Sequence, residues 1–406
     1  MRSITTEPHI NTVVDVGVIG FSLIISLLVT FKLIRMYNAK FWALYFLLSL
    51  YHYGFTVFYY LKTKANVSGD SAHYYMRIVA PENYYDPTIK FGFSSNFIKS
   101  IVNVFYQSLN LSYLSFFFIF STLGFIGFYY CAKIIRYSGF DKRNKYLGLY
   151  IMPLVLFLPN QHMWTVALGK DSLMFFGLMM FTFALTNIRK HILIFCIASF
   201  LIFMVRPHVF IMAVSAIGLS TFLEKKNFNV RKLVMLFFFG VIGYFALRTL
   251  TIVVLKIPFT PSAIASFVES REGLYVKMDY SGSMVDTSGY PFPYKLFSYL
   301  YRPLFDKINF NYIIIGIDNI LSIILSLAIL KKGFFKWFLR APLYIRFSFV
   351  FFIISSSFFA LIFSNFGIAV RQKTQFIFSL YIVLLAFISW KYERKSDNRK
   401  IAFGES

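Results

Sequence analysis

Five short segments of this chain carry ionisable side chains of the types that bind anions or transfer protons, and each interrupts an otherwise apolar sequence. A charged group at membrane depth is costly and usually faces a bundle interior or a water-filled cavity. We therefore expect the five segments to contribute to one polar site. Its candidate residues are Asp70 and His73, His162, Lys170 and Asp171, Arg206 and His208, Arg302, and Arg371 and Lys373.

The cations of this set predict a binding site for phosphate. Arginine matches two phosphate oxygens with one planar fork, and lysine adds a compact point charge. A diphosphate attached to a lipid would suit a cationic pocket at the membrane boundary. We assign its binding to Lys170, Arg206, His208, Arg302, Arg371 and Lys373.

The carboxylates and the remaining histidines predict acid–base chemistry. Asp70 and Asp171 are the candidate general bases, and His73 and His162 are the alternatives for the same task. A histidine changes charge near neutral pH, so it serves as either an acid or a base. The sequence does not choose among these four residues.

Structural interpretations of the acidic residues stay open beside the catalytic ones. Asp70, which follows a glycine, suits an Asx turn at the start of a loop. Asp171 suits the N-terminal cap of a helix, or a local ion pair with Lys170.

The basic residues also have structural interpretations. Arg206 precedes Pro207, which suits the first position of a helix, and the arginine would then extend to the membrane interface. Arg371 and Lys373 suit the binding of lipid head groups.

The composition shows what kind of protein must position these residues. Of 406 residues, 58% are hydrophobic and 14% are charged, whereas a soluble chain would be about a quarter charged. This excludes an ordinary soluble enzyme, a disordered chain and a secreted disulfide scaffold. The only cysteines, Cys131 and Cys196, lie in apolar runs, and we expect neither a metal nor a cofactor.

Apolar runs predict an all-α polytopic membrane protein with about eleven transmembrane helices. The expected spans are residues 12–34, 41–61, 112–132, 146–159, 171–188, 191–205, 207–223, 233–255, 311–330, 343–364 and 375–390. The spans at 146–159 and 191–205 are short, which suits tilted segments or halves of a bent helical hairpin.

Lysine and arginine fix the expected orientation. In this arrangement 23 basic residues fall on one side, which the positive-inside rule makes cytoplasmic. The N-terminus is then outside and the C-terminus inside. The formal net charge of +24 is attributed to this anchoring and not to nucleic acid, for which the sequence has no motif. We treat residues 1–406 as a single transmembrane domain.

Two long loops lie on the expected outer face, at residues 62–111 and 256–310. Within the first, residues 95–109 alternate apolar and polar side chains at helical spacing. This pattern predicts a helix in the outer membrane interface.

An early span, a long outer loop and the acidic residue in its segment GDSAHYY together resemble the GT-C superfamily of membrane glycosyltransferases. In many members of that superfamily the first outer loop carries a catalytic Asp or Glu, and Asp70 stands in the matching position. The roughly eleven spans, the two large outer loops and the outer arginines more closely resemble Wzy-type O-antigen and capsule polymerases. The segments GKDS at 169–172 and RPH at 206–208 and the segment with Arg371 and Lys373 also resemble membrane proteins of unassigned function that are encoded among polysaccharide genes.

The resemblance implies a GT-C-like enzyme in the bacterial inner membrane. Its substrate would be an undecaprenyl-diphosphate-linked oligosaccharide, its reaction the joining of repeat units at the periplasmic face, and a chain-length regulator a possible partner. The alternatives are a transferase that adds one sugar from a polyprenyl-phosphate donor, a transporter of lipid-linked oligosaccharides, and a structural membrane protein.

Overall fold

The described part of the chain folds almost entirely into α-helices. The computed structural model describes residues 12–37, 42–65, 69–81, 89–139, 145–146, 149–224, scattered residues between 230 and 266, and 283–287, 289–304 and 310–402. Strand structure in these ranges is confined to the two-residue strands β1 (Lys145–Tyr146) and β2 (Leu149–Tyr150), which pair antiparallel.

Helices follow one another along most of the described residues. They are α1 (Thr12–Tyr37), α2 (Trp42–Ala65), α3 (Asp70–Val79), α4 (Ser95–Leu109), α5 (Tyr113–Tyr137), α6 (Ile151–Leu156), α7 (Pro159–Thr165), α8 (Lys170–Ala184), α9 (Ile192–Val205), α10 (Pro207–Phe222), α11 (Phe292–Tyr301), α12 (Phe310–Ser326), α13 (Phe334–Phe338), α14 (Leu343–Ile362), α15 (Phe366–Lys373) and α16 (Ile377–Ala402). A 3₁₀ turn, Leu327–Leu330, extends α12.

Within the described residues, four helices are long and apolar enough to cross a membrane. They lie in α1, α5, α12 with its 3₁₀ turn, and α14, and α15 with α16 forms a further span bent by 50° if the pair is counted as one. The protein is thus an all-α protein with several helices suited to a bilayer. The count of eleven spans stays a prediction, and most of the expected span 233–255 lies outside the described residues.

Two sequence predictions about local structure have clear outcomes. The helix predicted at residues 95–109 is confirmed as α4, whose bounds are Ser95 and Leu109. The helix expected across 146–159 is wrong as drawn, because β1, β2 and the short α6 occupy this stretch. Its apolar composition gave no sign of the hairpin, and Pro153 and Pro159 break helical hydrogen bonding.

The chain divides into two compact units, of which the first contains Met1–Ala132, Leu156–Ala184 and Ile188–Pro207. At its centre, α8 is buried on nearly every side. Gly124 of α5 lets α5 approach the end of α7, since a β-carbon there would lie 2.2 Å from the carbonyl oxygen of Thr165.

The start of α5 is fixed to α1 by a buried carboxylate in the same unit. Asp15 accepts a hydrogen bond from the backbone N–H of Ser112 at 2.9 Å and another from the hydroxyl of Ser115. Negative charge is favourable at a helix N-terminus, where backbone N–H groups lack partners.

The second unit contains Lys133–Val155, Leu185–Asn187 and His208–Ser406. In it the buried Arg346 of α14 donates to the carbonyl oxygen of Ser220 at 3.0 Å, near the end of α10, and lies 3.7 Å from Glu224. Residues 283–285 pair with the break before α15, where Val285 N–H donates to Ser364 and Phe366 N–H donates to Ser283. These contacts place part of the second predicted outer loop against the start of α15.

Candidate functional site

Helices α8 and α9 form an antiparallel hairpin that brings two of the predicted residues together. Arg206, which ends α9, donates from Nη2 to Oδ1 of Asp171 in the first turn of α8 at 2.8 Å. Their side chains are 12% and 5% exposed. Each charge suits the helix end that carries it, since anions stabilise N-termini and cations stabilise C-termini.

Arg206 has a further donor, its Nε, which the ion pair with Asp171 does not use. Its Nε is buried and makes no hydrogen bond to any described residue. A buried donor without an acceptor costs about 1–3 kcal/mol. An anion next to Arg206 would remove that cost. The expectation that Pro207 begins the next helix is also confirmed, by α10.

Lys170 connects α8 to the start of α4. Its Nζ donates to Oγ of Ser95 at 3.2 Å and lies 3.5 Å from Oγ of Ser94. Ser94 precedes α4 with a φ of 62°, a backbone conformation that non-glycine residues rarely adopt. Lys170 thus brings a cation to the positive end of the α4 dipole, and an anion there would be favoured by both.

Helix α3 joins this group through Tyr74. The Tyr74 hydroxyl lies 3.5 Å from Oγ of Ser95. The ring of Tyr74 would lie 3.7 Å from a β-carbon at Gly169, the residue before Lys170. Three helices, α3, α4 and α8, therefore meet at the side chains of Tyr74, Ser95 and Lys170, a group we call the serine junction.

Asp70 and His73 lie on α3, and both are exposed. Gly69 and not Asp70 is the cap residue of this helix, and Asp70 lies in its first turn. The pKa of His73 is held below its ordinary value, chiefly by partial burial of its ring and then by the charges of Lys99 and Arg77, while Asp70 opposes them. His73 therefore stays neutral to lower pH than an ordinary histidine, as a proton acceptor should.

His162 has a different environment from the other candidates of the first unit. It is fully buried, its Nδ1 lies 2.9 Å from Nδ1 of His52, and its Nε2 lies 2.8 Å from the carbonyl oxygen of Leu156. Both ring nitrogens are therefore engaged inside the helix packing. Among the four candidate bases, Asp70 and His73 are the accessible ones.

Lys373 lies in the second unit and is buried at the end of α15. Its Nζ donates to the carbonyl oxygen of Leu300 at 3.0 Å and to Oδ1 of Asn319. It is also close enough to Asp318 for their charges to interact. Because Lys373 is buried among these internal partners, it lacks the exposed position that binding of lipid head groups would require.

The other candidates of the second unit are half-buried. The Arg302 guanidinium lies over the ring of Phe366, 5.1 Å from its centroid, and His208 packs edge-on against Phe359 at 6.0 Å. Arg371 lies on α15, two residues before Lys373. Arg302 thus contacts the start of the helix that carries Arg371.

The sequence interpretation missed Ser94, Ser95, Tyr74 and His52. Two serines before an amphipathic run indicate a helix start, but this signal does not reveal that a lysine 75 positions later donates to them. His52 lies within an apolar run, where a lone histidine has no visible role.

Among the described residues, no group of three or more His, Cys, Asp or Glu side chains is placed to hold a metal ion. No protein-family model, curated protein or solved structure matches this chain. Function is therefore inferred from the chemistry of these residues and from the membrane character of the fold.

Proposed function

We propose that the chain is an inner-membrane glycosyltransferase that polymerises undecaprenyl-diphosphate-linked oligosaccharide repeat units at the periplasmic face. The observation that carries the proposal is the pair of cationic side chains at the start of α8. Arg206 donates to Asp171, and Lys170 brings a second cation to the hydroxyl of Ser95 at the start of α4. The unmatched Nε of Arg206 and the N-terminus of α4 add donors suited to an anion.

The proposed reaction is a displacement at an anomeric carbon. A hydroxyl of one lipid-linked repeat attacks the anomeric carbon of the growing chain, and a new C–O bond replaces the bond to the diphosphate. Undecaprenyl diphosphate leaves with the electron pair of the broken bond. The proton of the attacking hydroxyl passes to Asp70 or His73, the accessible candidates on α3.

The cations act on the leaving group in this proposal. Negative charge develops on the diphosphate as the C–O bond breaks, and fixed cations stabilise that charge more than they stabilise the ground state. Lys170 and Arg206 of the first unit serve this role. GT-C-like architecture is part of the same proposal.

A single-sugar transferase is the second candidate, because an accessible carboxylate and an anion site are also what a polyprenyl-phosphate sugar donor would need. Deletion of the gene and gel analysis of surface polysaccharide separate the candidates. Collapse of the ladder to one repeat unit supports the polymerase. Loss of one sugar from every repeat supports the single-sugar transferase, and accumulation of lipid-linked repeats inside the cell supports a transporter.

Complementation of the deletion then tests the site. Lys170→Met should shorten or abolish the ladder while the protein still accumulates in the membrane. Lys90→Met is the matched control, since it removes an exposed cation from the same predicted outer loop that contains the serines. Equal ladders from the two variants would contradict the assignment of Lys170.

A further inference from the structure

Two histidines meet in the interior of the first unit. His52 of α2 and His162 of α7 are both fully buried, and their Nδ1 atoms are 2.9 Å apart. The Nε2 atoms point to backbone carbonyl oxygens, His52 to Ser121 at 3.0 Å and His162 to Leu156 at 2.8 Å. The four ring nitrogens thus take part in three hydrogen-bond contacts.

The number of protons follows from these three contacts. A carbonyl oxygen only accepts, so each Nε2 must carry a hydrogen. A neutral imidazole has one ring N–H, which leaves both Nδ1 atoms without a proton. A hydrogen bond between the two Nδ1 atoms of His52 and His162 therefore requires one proton more than two neutral rings carry.

The separation of the nitrogens favours a proton over a metal ion as the bridging species. A metal bound by two imidazoles lies about 2.0–2.1 Å from each nitrogen, which holds the nitrogens more than about 3 Å apart in tetrahedral or linear geometry. The observed 2.9 Å is the ordinary length of a hydrogen bond between nitrogens.

The surroundings of the pair oppose a permanent charge. Phe128 of α5 stacks on His162 at 4.3 Å, Phe125 of α5 packs on His52, and the titratable neighbours Tyr51 and Tyr53 come from α2. Phe55 of α2 also stacks on His162. Within the described part of the chain, no carboxylate, lysine or arginine contacts either ring.

Two opposing effects determine how strongly the extra proton is bound. Burial without a counter-charge disfavours the imidazolium, while the third hydrogen bond and the aromatic faces favour it. Without the proton, the two Nδ1 lone pairs face each other and the contact between the rings is lost. Occupancy of the site by the proton thus decides whether His52 of α2 and His162 of α7 are hydrogen-bonded to each other.

We propose that His52 and His162 form one proton-binding site, in which a shared proton taken from water joins α2 to α7. No oxidant or reductant takes part, and the proton returns to water when the contact opens. Because α7 leads through residues 166–169 to Lys170, opening of this contact would reach the start of α8. The proposal is independent of the substrate proposed above.

The test measures the shared proton directly. The full chain, with ¹⁵N-labelled histidine and in lipid nanodiscs, is titrated from about pH 8 to about pH 4, a range that brackets histidine ionisation. We expect a through-hydrogen-bond coupling between two ring nitrogens that appears in one titration step as the pH falls. Absence of such a coupling at every pH at which the chain is folded would overturn the proposal.

Histidine variants show which two residues give the coupling. His52→Gln and His162→Gln should each remove the coupling and the associated step, whereas His191→Gln, which changes another histidine of the same unit, should leave both unchanged. Persistence of the coupling in His52→Gln would overturn the assignment. The wild-type titration gives its answer even if a variant fails to fold.

Discussion

Two cationic side chains, Lys170 and Arg206, lie at the start of α8 and are the chemical basis of the proposed anion site. Arg206 donates from Nη2 to Asp171 at 2.8 Å and keeps a buried Nε without an acceptor among the described residues, while Lys170 donates to the hydroxyl of Ser95. Half-buried charge in a low-dielectric setting interacts more strongly than the same charge in water. The arrangement favours an anionic ligand over a neutral sugar as the group bound there.

At the same scale, Asp70→Asn separates a chemical role from a structural one. Asp70 is exposed and is not the cap residue of α3, so we expect a loss of at most about 1 kcal/mol from the weaker interaction with the helix dipole. If Asp70 is the base, chain formation should fall on the order of a hundredfold or more. Polymer length and thermal unfolding of the purified protein measure the two effects. A near-normal polysaccharide ladder from Asp70→Asn would contradict Asp70 as the base and favour His73.

His73 gives a prediction about pH. Because its pKa is lowered by partial burial and by Lys99 and Arg77, the residue takes up its proton at a lower pH than the ordinary histidine value of about 6.5. If His73 accepts the proton, activity should be retained to a pH below that value. Lys99→Met should raise the pKa of His73 and move the acid limb to higher pH. A pH profile of polymerisation in membranes tests this, with Lys90→Met as the control that should leave the limb in place.

The sequence predicted the types of residue in this site better than their partners. Asp171 and Arg206 were recognised as candidates, but their pairing across 35 positions depends on the α8–α9 hairpin, which periodicity alone does not fix. His162 was assigned to the site because it follows a proline-marked break. Its burial against His52 depends on how α2 and α7 pack, and no local pattern encodes that contact.

At the scale of elements, local signals were reliable where a helix has two distinct faces. The bounds of α4 follow from its alternation of apolar and polar residues, and Pro207 marks the start of α10. Helices that are apolar on every side are harder to delimit. Helix α8 is an example of such a helix. With 15 residues it is about 22 Å long, which is shorter than a hydrocarbon core of about 30 Å.

The contact of α5 with α7 provides a stability prediction. Gly124→Ala should destabilise the first unit by about 1–3 kcal/mol, because the new methyl group would lie 2.2 Å from the Thr165 carbonyl oxygen and the backbone must move. Gly54→Ala in α2 is the matched control, since no atom lies within 4 Å of its β-carbon position. Alanine should there be neutral or stabilising by up to about 1 kcal/mol. Thermal unfolding in detergent compares the two; equal midpoints would contradict the close contact.

The buried Asp15 gives a second prediction for the same helix. Asp15→Ala removes the acceptor of the Ser112 N–H and of the Ser115 hydroxyl, and both donors are buried. The expected loss of stability is about 1–3 kcal/mol, the usual cost of an unsatisfied buried donor. Ser108→Ala, whose exposed hydroxyl bonds only within α4, is the control and should change the unfolding midpoint little. A midpoint as high as that of the control would show that Asp15 does not hold the start of α5.

At the scale of the whole molecule, the orientation in the membrane decides whether the candidate residues can meet a periplasmic substrate. Basic residues follow α1, α5 and α12 and precede α14, as expected if these ends lie in the cytoplasm. We therefore expect α4 and α11 to lie on the outer side. In a Cys196→Ser background, with Cys131 buried, single cysteines at Asn96, Tyr294 and Lys332 test this, since all three positions are exposed. An impermeant thiol reagent should label the first two in intact cells with a permeabilised outer membrane, and Lys332→Cys only after lysis of the inner membrane. The reverse pattern would place Asp70, Lys170 and Arg206 on the cytoplasmic side, where a nucleotide-linked donor would be the available substrate and the polymerase proposal would fail.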